Sequence, residues 1–106
     1  MNETIRQVPG FKNYLITESG KIFNRKTKKQ LRHGYLRGYK IICLMKDRKK
    51  HMKRVARLVC HAWHGALRPD QTVDHIDGDK DNDHFLNLRK LTLRQNIKAY
   101  WEMVKA

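Results

Sequence analysis

Between Asp70 and Asp83 the chain places six Asp in fourteen residues, together with Gly78, Asn82 and a single cation, Lys80. Such a stretch cannot enter a core or sustain a helix, because unpaired carboxylates are costly to bury and Asp, Asn and Gly favour turns over helical hydrogen bonding. It has to be a surface loop, and its flanks have to be the elements that carry it. Thr72–Ile76 reads as a short strand entering the loop, and Leu86–Leu91 alternates like the strand that returns from it.

The rest of the chain has the opposite charge. Lys and Arg number 24 against 10 Asp and Glu, a net charge of +14. Residues 1–69 hold eighteen of those cations against only Glu3, Glu18 and Asp47. A domain so basic repels itself and seeks a polyanion. An acidic island within it would repel that partner, unless the island binds a cation or turns away as a solvated loop; charge alone does not choose between the two.

The 106 residues suffice for one compact domain, with 1–69 as its basic part and 70–106 as the part around the acidic loop. No apolar run is long enough to span a bilayer, and no signal pattern opens the chain, so a soluble intracellular protein without membrane partners is expected. Cys43 and Cys60 form no C-x-x-C pair, which argues against a disulfide framework or a Cys-rich zinc site.

Apolar periodicity predicts the elements. Tyr14–Thr17 and Lys21–Asn24 flank a Glu-Ser-Gly turn, and Tyr39–Met45 is a strand with a return at His51–Lys53, giving an antiparallel sheet of about three strands. From Arg54 the period changes, with Val55, Leu58, Val59 and Ala62 at helical spacing up to about His64, where Gly65 and Pro69 are stop signals. Thr92 and Gln95 form a capping box for a closing helix. Leu93, Ile97, Tyr100, Trp101 and Val104 give that helix an apolar stripe, and Asn96, in the first turn beside Leu93 and Ile97, is expected to be aimed with it at the hairpin that the helix covers. The expected class is α+β, a small N-terminal antiparallel sheet and helix joined to a hairpin-and-helix unit.

The loop and its flanks read Val73-Asp-His-Ile-Asp-Gly-Asp-Lys-Asp-Asn82, followed by Asn87-Leu-Arg89, Thr92 and Asn96. This resembles the HNH endonucleases, the ββα-metal or His-Me finger group, in the form found in homing enzymes. Val8-Pro-Gly-Phe-Lys-Asn-Tyr14 through Ser19-Gly-Lys-Ile-Phe23 resembles the module that commonly precedes that form. The resemblance implies one divalent metal ion held by Asp74 and Asn96, with Mg²⁺ expected and Mn²⁺ as a substitute. It implies His75 as general base and Asn87 as the residue holding the loop that orients it. Arg89 matches a basic position that contacts phosphate, and Asp77, Gly78 and Asn82 fit the loop pattern. Ala56 stands where many members carry His.

Phosphodiester hydrolysis needs an activated water, charge neutralisation at phosphorus and help for the leaving oxygen, and an imidazole with one hard cation on oxygen ligands supplies all three. Asp74 and His75 are consecutive, so an ideal strand would point them to opposite faces; the strand is expected to be distorted or ending there. Arg37, Lys49, Lys50, Arg54 and Arg57 are the expected contacts to double-stranded DNA. A monomer would nick one strand, and cutting both would take a homodimer or two sequential nicks. With no further DNA-binding region in the sequence, selectivity is expected to be short or degenerate, and the setting that of a phage or mobile element in a bacterial cytoplasm. The competing class is a DNA-binding module that keeps the fold without the chemistry. A basic RNA-binding protein would explain the charge but not the acidic island.

Two other metal readings are weaker. Asp77, Asp79, Asp81 and Asp83 imitate a calcium loop, but Asn82 stands where its turn Gly belongs and Leu88 where its closing Glu belongs. Cys60, His61 and His64 suggest zinc only if a fourth ligand comes from elsewhere. His84 is expected to be a solvated loop residue.

Overall fold

The computed structural model describes residues 3–105, apart from the side chains of Met103 and Lys105. Among the described residues, eight strands form three small antiparallel sheets that share one core with two α-helices. Strands β1 (Ile5–Val8), β2 (Phe11–Thr17) and β3 (Ile22–Asn24) form the first sheet, and β4 (Gly34–Leu36), β5 (Tyr39–Lys46) and β6 (Lys49–Arg54) form the second. Helix α1 (Val55–His64) follows, then the hairpin β7 (Gln71–His75) and β8 (Leu88–Thr92), and last α2 (Leu93–Lys105). The fold is α+β, as expected.

The front half holds two three-stranded sheets rather than one. The additional strands are edges with little apolar signal: three of the four residues of β1 and all three of β4 are exposed. Turn chemistry also hid them. The β4–β5 hairpin turns on Arg37 and Gly38, and the β5–β6 hairpin on Asp47 and Arg48, with positive φ at all four. Two-residue hairpin turns of this hand match the strand twist but usually announce themselves with Asn-Gly or Asp-Gly.

Ile16 of β2, Ile22 of β3, Leu44 of β5 and Val55, Val59 and Cys60 of α1 are fully buried, joined by Ile42 and by Leu88 of β8. Leu88 thus ties the acidic-loop hairpin into the core of the basic half. Gly65 ends α1 with φ +88, its N–H donating to the His61 carbonyl at 3.2 Å. Among the described residues no helix is long and apolar enough to cross a membrane.

The capping box on α2 forms as the sequence predicts: Thr92 N–H donates to Gln95 Oε1 at 2.8 Å, and Gln95 N–H to Thr92 Oγ1 at 3.2 Å. The apolar stripe behaves differently. Leu93, Ile97, Tyr100, Trp101 and Val104 are each at least half exposed, while Asn96 and Ala99 are the half-buried positions among the described side chains of the helix. Among the described side chains, Asn96 and Ala99 turn towards the hairpin across an open cleft rather than into a packed core.

Candidate active site

Strand β7 ends at His75, and its ladder with β8 pairs Asp74 with Arg89 and His75 with Leu88. Immediately afterwards the Ile76 N–H donates to the Asn87 carbonyl at 2.8 Å and the Gly78 N–H to the His75 carbonyl at 2.9 Å, turning the chain. Because regular alternation stops there, consecutive residues can serve one site. Asp74, His75, Asp77, Gly78, Arg89 and Asn96 all line one open cleft of about 380 Å³ between the hairpin and α2, with Tyr100 at its edge. Arg89 Nε donates to Asp74 Oδ2 at 2.8 Å, leaving Oδ1 free of that bond. Among the described residues no three His, Cys, Asp or Glu are grouped to hold a metal ion. Of the carboxylate and amide side chains lining the cleft, Asp77 has both oxygens engaged by Asp79, Asn82 and Asn87, whereas Asp74 Oδ1 and the Asn96 amide face the cleft without such bonds among the described residues.

Asn87 clamps the loop. Its Oδ1 accepts from the Asp77 N–H at 3.1 Å, and its Nδ2 donates to Asp77 Oδ1 and to the Asn82 carbonyl, both at 2.9 Å. Asn82 Nδ2 donates to the other Asp77 oxygen at 3.0 Å, and Asp79 N–H donates to Asp77 Oδ1 at 2.8 Å. These donors, Asn82 foremost, then Asp79 and Asn87, hold the Asp77 carboxyl below its ordinary value. Their stabilisation is therefore present above the usual carboxylate range and is lost as pH falls through the lowered value. Asn87→Ala should lower the melting temperature by about 5 °C at neutral pH. In circular dichroism melts, that gap should narrow below about pH 4 as Asp77 protonates in both chains.

Much of the acidic island is thus occupied with its own backbone. Asp79 Oδ1 accepts from Asp81 N–H at 2.9 Å, and two lysines tie the loop down, Lys40 reaching to it from the basic half and Lys80 reaching from it to the basic half. Lys40 Nζ donates to the Asp81 carbonyl at 3.0 Å, and Lys80 Nζ to the Arg37 carbonyl at 3.2 Å. Tyr39 is held between two cations, with the Arg54 guanidinium 4.3 Å and the Lys80 ammonium 4.6 Å from its ring centre, and its ring lies 5.9 Å from that of His75. The front sheet therefore abuts the cleft. Arg37 and Arg54 lie at this end of the β4–β6 sheet, whereas Lys49 and Lys50 lie at the far end of β5–β6, about 14–17 Å from Arg54 along β6 at the usual rise per residue. Arg57 is exposed on α1.

His84 is not a solvated loop residue. Its Nδ1 accepts from Leu86 N–H at 3.2 Å, capping the 3-10 turn Phe85–Asn87, and its Nε2 lies 3.5 Å from Glu18 Oε2. The zinc reading also fails on position: Cys60 is fully buried, its thiol pushed up by that burial, and His64 Nε2 donates to the Phe85 carbonyl at 2.7 Å.

Asp83 is the residue that sequence patterning misses. His75 Nε2 lies 2.7 Å from Asp83 Oδ1, and both side chains are nearly sealed from solvent, 5% and 1% exposed. Burial raises the Asp83 pKa, opposed by the His75 hydrogen bond. In sequence Asp83 is simply the last of a run of alternating loop acids, and nothing local separates it from Asp79 or Asp81.

A ββα unit with an Asp-His pair ending its first strand, an Asn clamping the loop and an Asn on the covering helix is the arrangement of the HNH nucleases. The comparisons with known proteins agree with it. The chain is 32% identical over 95 residues to DNA endonuclease I-HmuI of Bacillus phage SP01, covering 88% of this chain and 55% of that protein. It is 34% identical over 86 residues to an uncharacterized HNH endonuclease of Acanthamoeba polyphaga mimivirus, covering 81% of this chain and 26% of the relative. Its fold superimposes on a solved structure described as DNA binding and cleavage by the HNH homing endonuclease I-HmuI, with TM-score 0.88 and 28% identity over 97% of this chain and 60% of that one. No family model matches the chain. The resemblance to HNH homing endonucleases thus holds in sequence and in fold, and the chain spans about half the length of the phage relative.

Proposed function

We propose that the chain is a metal-dependent DNA endonuclease that hydrolyses one phosphodiester bond per site. The observation that carries this reading is the single cleft lined by Asp74, His75, Arg89 and Asn96. His75 is the general base and takes a proton from the attacking water. Arg89, anchored on Asp74, offers its remaining guanidinium hydrogens to a phosphate oxygen. Asn87, with Asp77, Gly78 and Asn82, fixes the loop from which His75 departs. As the water oxygen bonds to phosphorus, the bond to the 3′ oxygen breaks and that oxygen is protonated from solvent.

The donor set fits a small hard cation. One carboxylate and one amide oxygen suit Mg²⁺, which characteristically keeps several waters and completes its shell with substrate phosphate; Mn²⁺ substitutes. Bound by Asp74 and Asn96, the ion would supply charge neutralisation at phosphorus and at the leaving oxygen.

Duplex DNA is the proposed substrate, and the basic charge supports a polyanionic partner. Arg37 and Arg54 beside the cleft, Lys49 and Lys50 at the end of the β5–β6 ribbon and Arg57 on α1 are the phosphate contacts of the basic part, residues 1–69, while residues 70–106 carry the chemistry. One site nicks one strand, and double-strand cleavage requires a second copy or two sequential nicks. The proposed setting is the cytoplasm of a bacterial host, a reading supported by the likeness to a phage protein.

A supercoiled plasmid incubated with the purified chain tests this reading. Nicked circles should form with Mg²⁺ or Mn²⁺ and not with EDTA. Tight binding without cleavage in either metal would overturn the enzymatic reading in favour of a DNA-binding module on the same fold.

A further inference from the structure

The deepest polar contact in the molecule lies behind the cleft. Asp83 is 2% exposed and His75 8%, and their only mutual bond joins Nε2 to Oδ1 at 2.7 Å. Asp83 Oδ2 is, among the described residues, a fully buried side-chain oxygen with no hydrogen-bond partner. An unpaired carboxylate oxygen in such a place is unfavourable, and a loop built only for stability would have placed an apolar or fully paired side chain there. What the carboxylate does accomplish is directional. Its charge is spent on one acceptor bond, and the donor is the imidazole lining the cleft.

We infer that Asp83 is a positioning residue for His75, setting its tautomer and ring orientation; this rests on the reading of His75 as general base. An ionised carboxylate accepts only, so the proton of neutral His75 sits on Nε2 and the lone pair on Nδ1. Nδ1 has no protein partner among the described residues and belongs to the ring that lines the cleft with Asp74 and Asn96. The base is therefore Nδ1. When it takes a proton from water, the ring becomes an imidazolium that keeps its Nε2–H on Asp83, and the adjacent negative charge stabilises it without itself being protonated. The proton on Nδ1 then returns to solvent as product leaves.

Packing fixes the pair from outside. The Tyr39 ring lies 5.9 Å from that of His75, and a methyl built on Gly20 would come within 3.5 Å of the Asp83 Cβ. The carboxylate is thus held from the basic half while it holds a residue of the hairpin.

The test is Asp83→Asn, which keeps shape but offers His75 either an acceptor or a donor, so that the tautomer is no longer dictated. Single-turnover nicking by this variant should slow by about 100-fold, with plasmid affinity within about twofold and a melting temperature equal to or above that of the unsubstituted chain. A purely structural role would instead lower the melting temperature and leave the rate of the folded fraction unchanged, and that result overturns the inference. Nitrogen-15 NMR of the unsubstituted chain at pH 8 provides a second measurement that needs neither cleavage nor a folded variant. His75 should carry its proton on Nε2, and a proton on Nδ1 overturns the inference outright. An uncut plasmid with the Nε2–H tautomer in place would overturn the nuclease reading alone.

Discussion

His75→Ala should abolish most plasmid nicking, lowering the single-turnover rate by about 10³-fold, within the range general-base removal produces. Binding should persist, because affinity comes from Lys and Arg on phosphate and His75 is 8% exposed. Truncation to Ala also strips Asp83 of its one donor and leaves a buried carboxylate wholly unpaired, at a stability cost of about 1–3 kcal/mol. A fall in rate could then be blamed on unfolding. His75→Gln separates the effects, since its amide can donate to Asp83 but is too weak a base to take a proton from water. Both variants should lose the rate while Gln keeps more of the melting temperature. A Gln variant that nicks at near the original rate would remove His75 from the chemistry.

The helix cap and the helical period were legible because both are written in local spacing, whereas the roles expected of the motif residues came from the resemblance. Thr92 and Gln95 lie three apart and cap the helix reciprocally, and the Val55, Leu58, Val59 period gives the buried face of α1. Asp74, His75 and Asn96, distant in sequence, share the cleft because a hairpin and its covering helix bring them together. What stayed hidden depends on contacts that no period encodes. Asp83 differs from its neighbouring acids only in facing inward onto His75, and Tyr39 looks like any strand aromatic until Arg54 and Lys80 close on its two sides. The α2 stripe misled for a different reason. Helical periodicity identifies an apolar face without saying what lies opposite, and here the face towards the hairpin is the one carrying Asn96.

Gly20→Ala is expected to have the largest effect on stability, and it probes the junction between the basic half and the loop. From sequence this glycine is one residue of a Glu-Ser-Gly turn, chosen for backbone freedom, and its φ of +92 confirms that need. Gly10, at φ +80, has the same need and nothing within 4 Å of where a methyl would stand. At Gly20 the methyl would lie 2.7 Å from Val55 Cγ1 and 3.4 Å from Val59 Cγ2, both on stiff, fully buried side chains of α1. Gly10→Ala should therefore show the backbone strain alone, about 1–2 kcal/mol. Gly20→Ala should add a packing clash of about 1–3 kcal/mol. The combined loss corresponds to a melting temperature lower by about 10–25 °C for a domain of this size. Thermal melts of the two variants side by side isolate the clash. Equal shifts would mean that α1 yields without resistance, and that the turn does not hold the helix against the loop carrying Asp83.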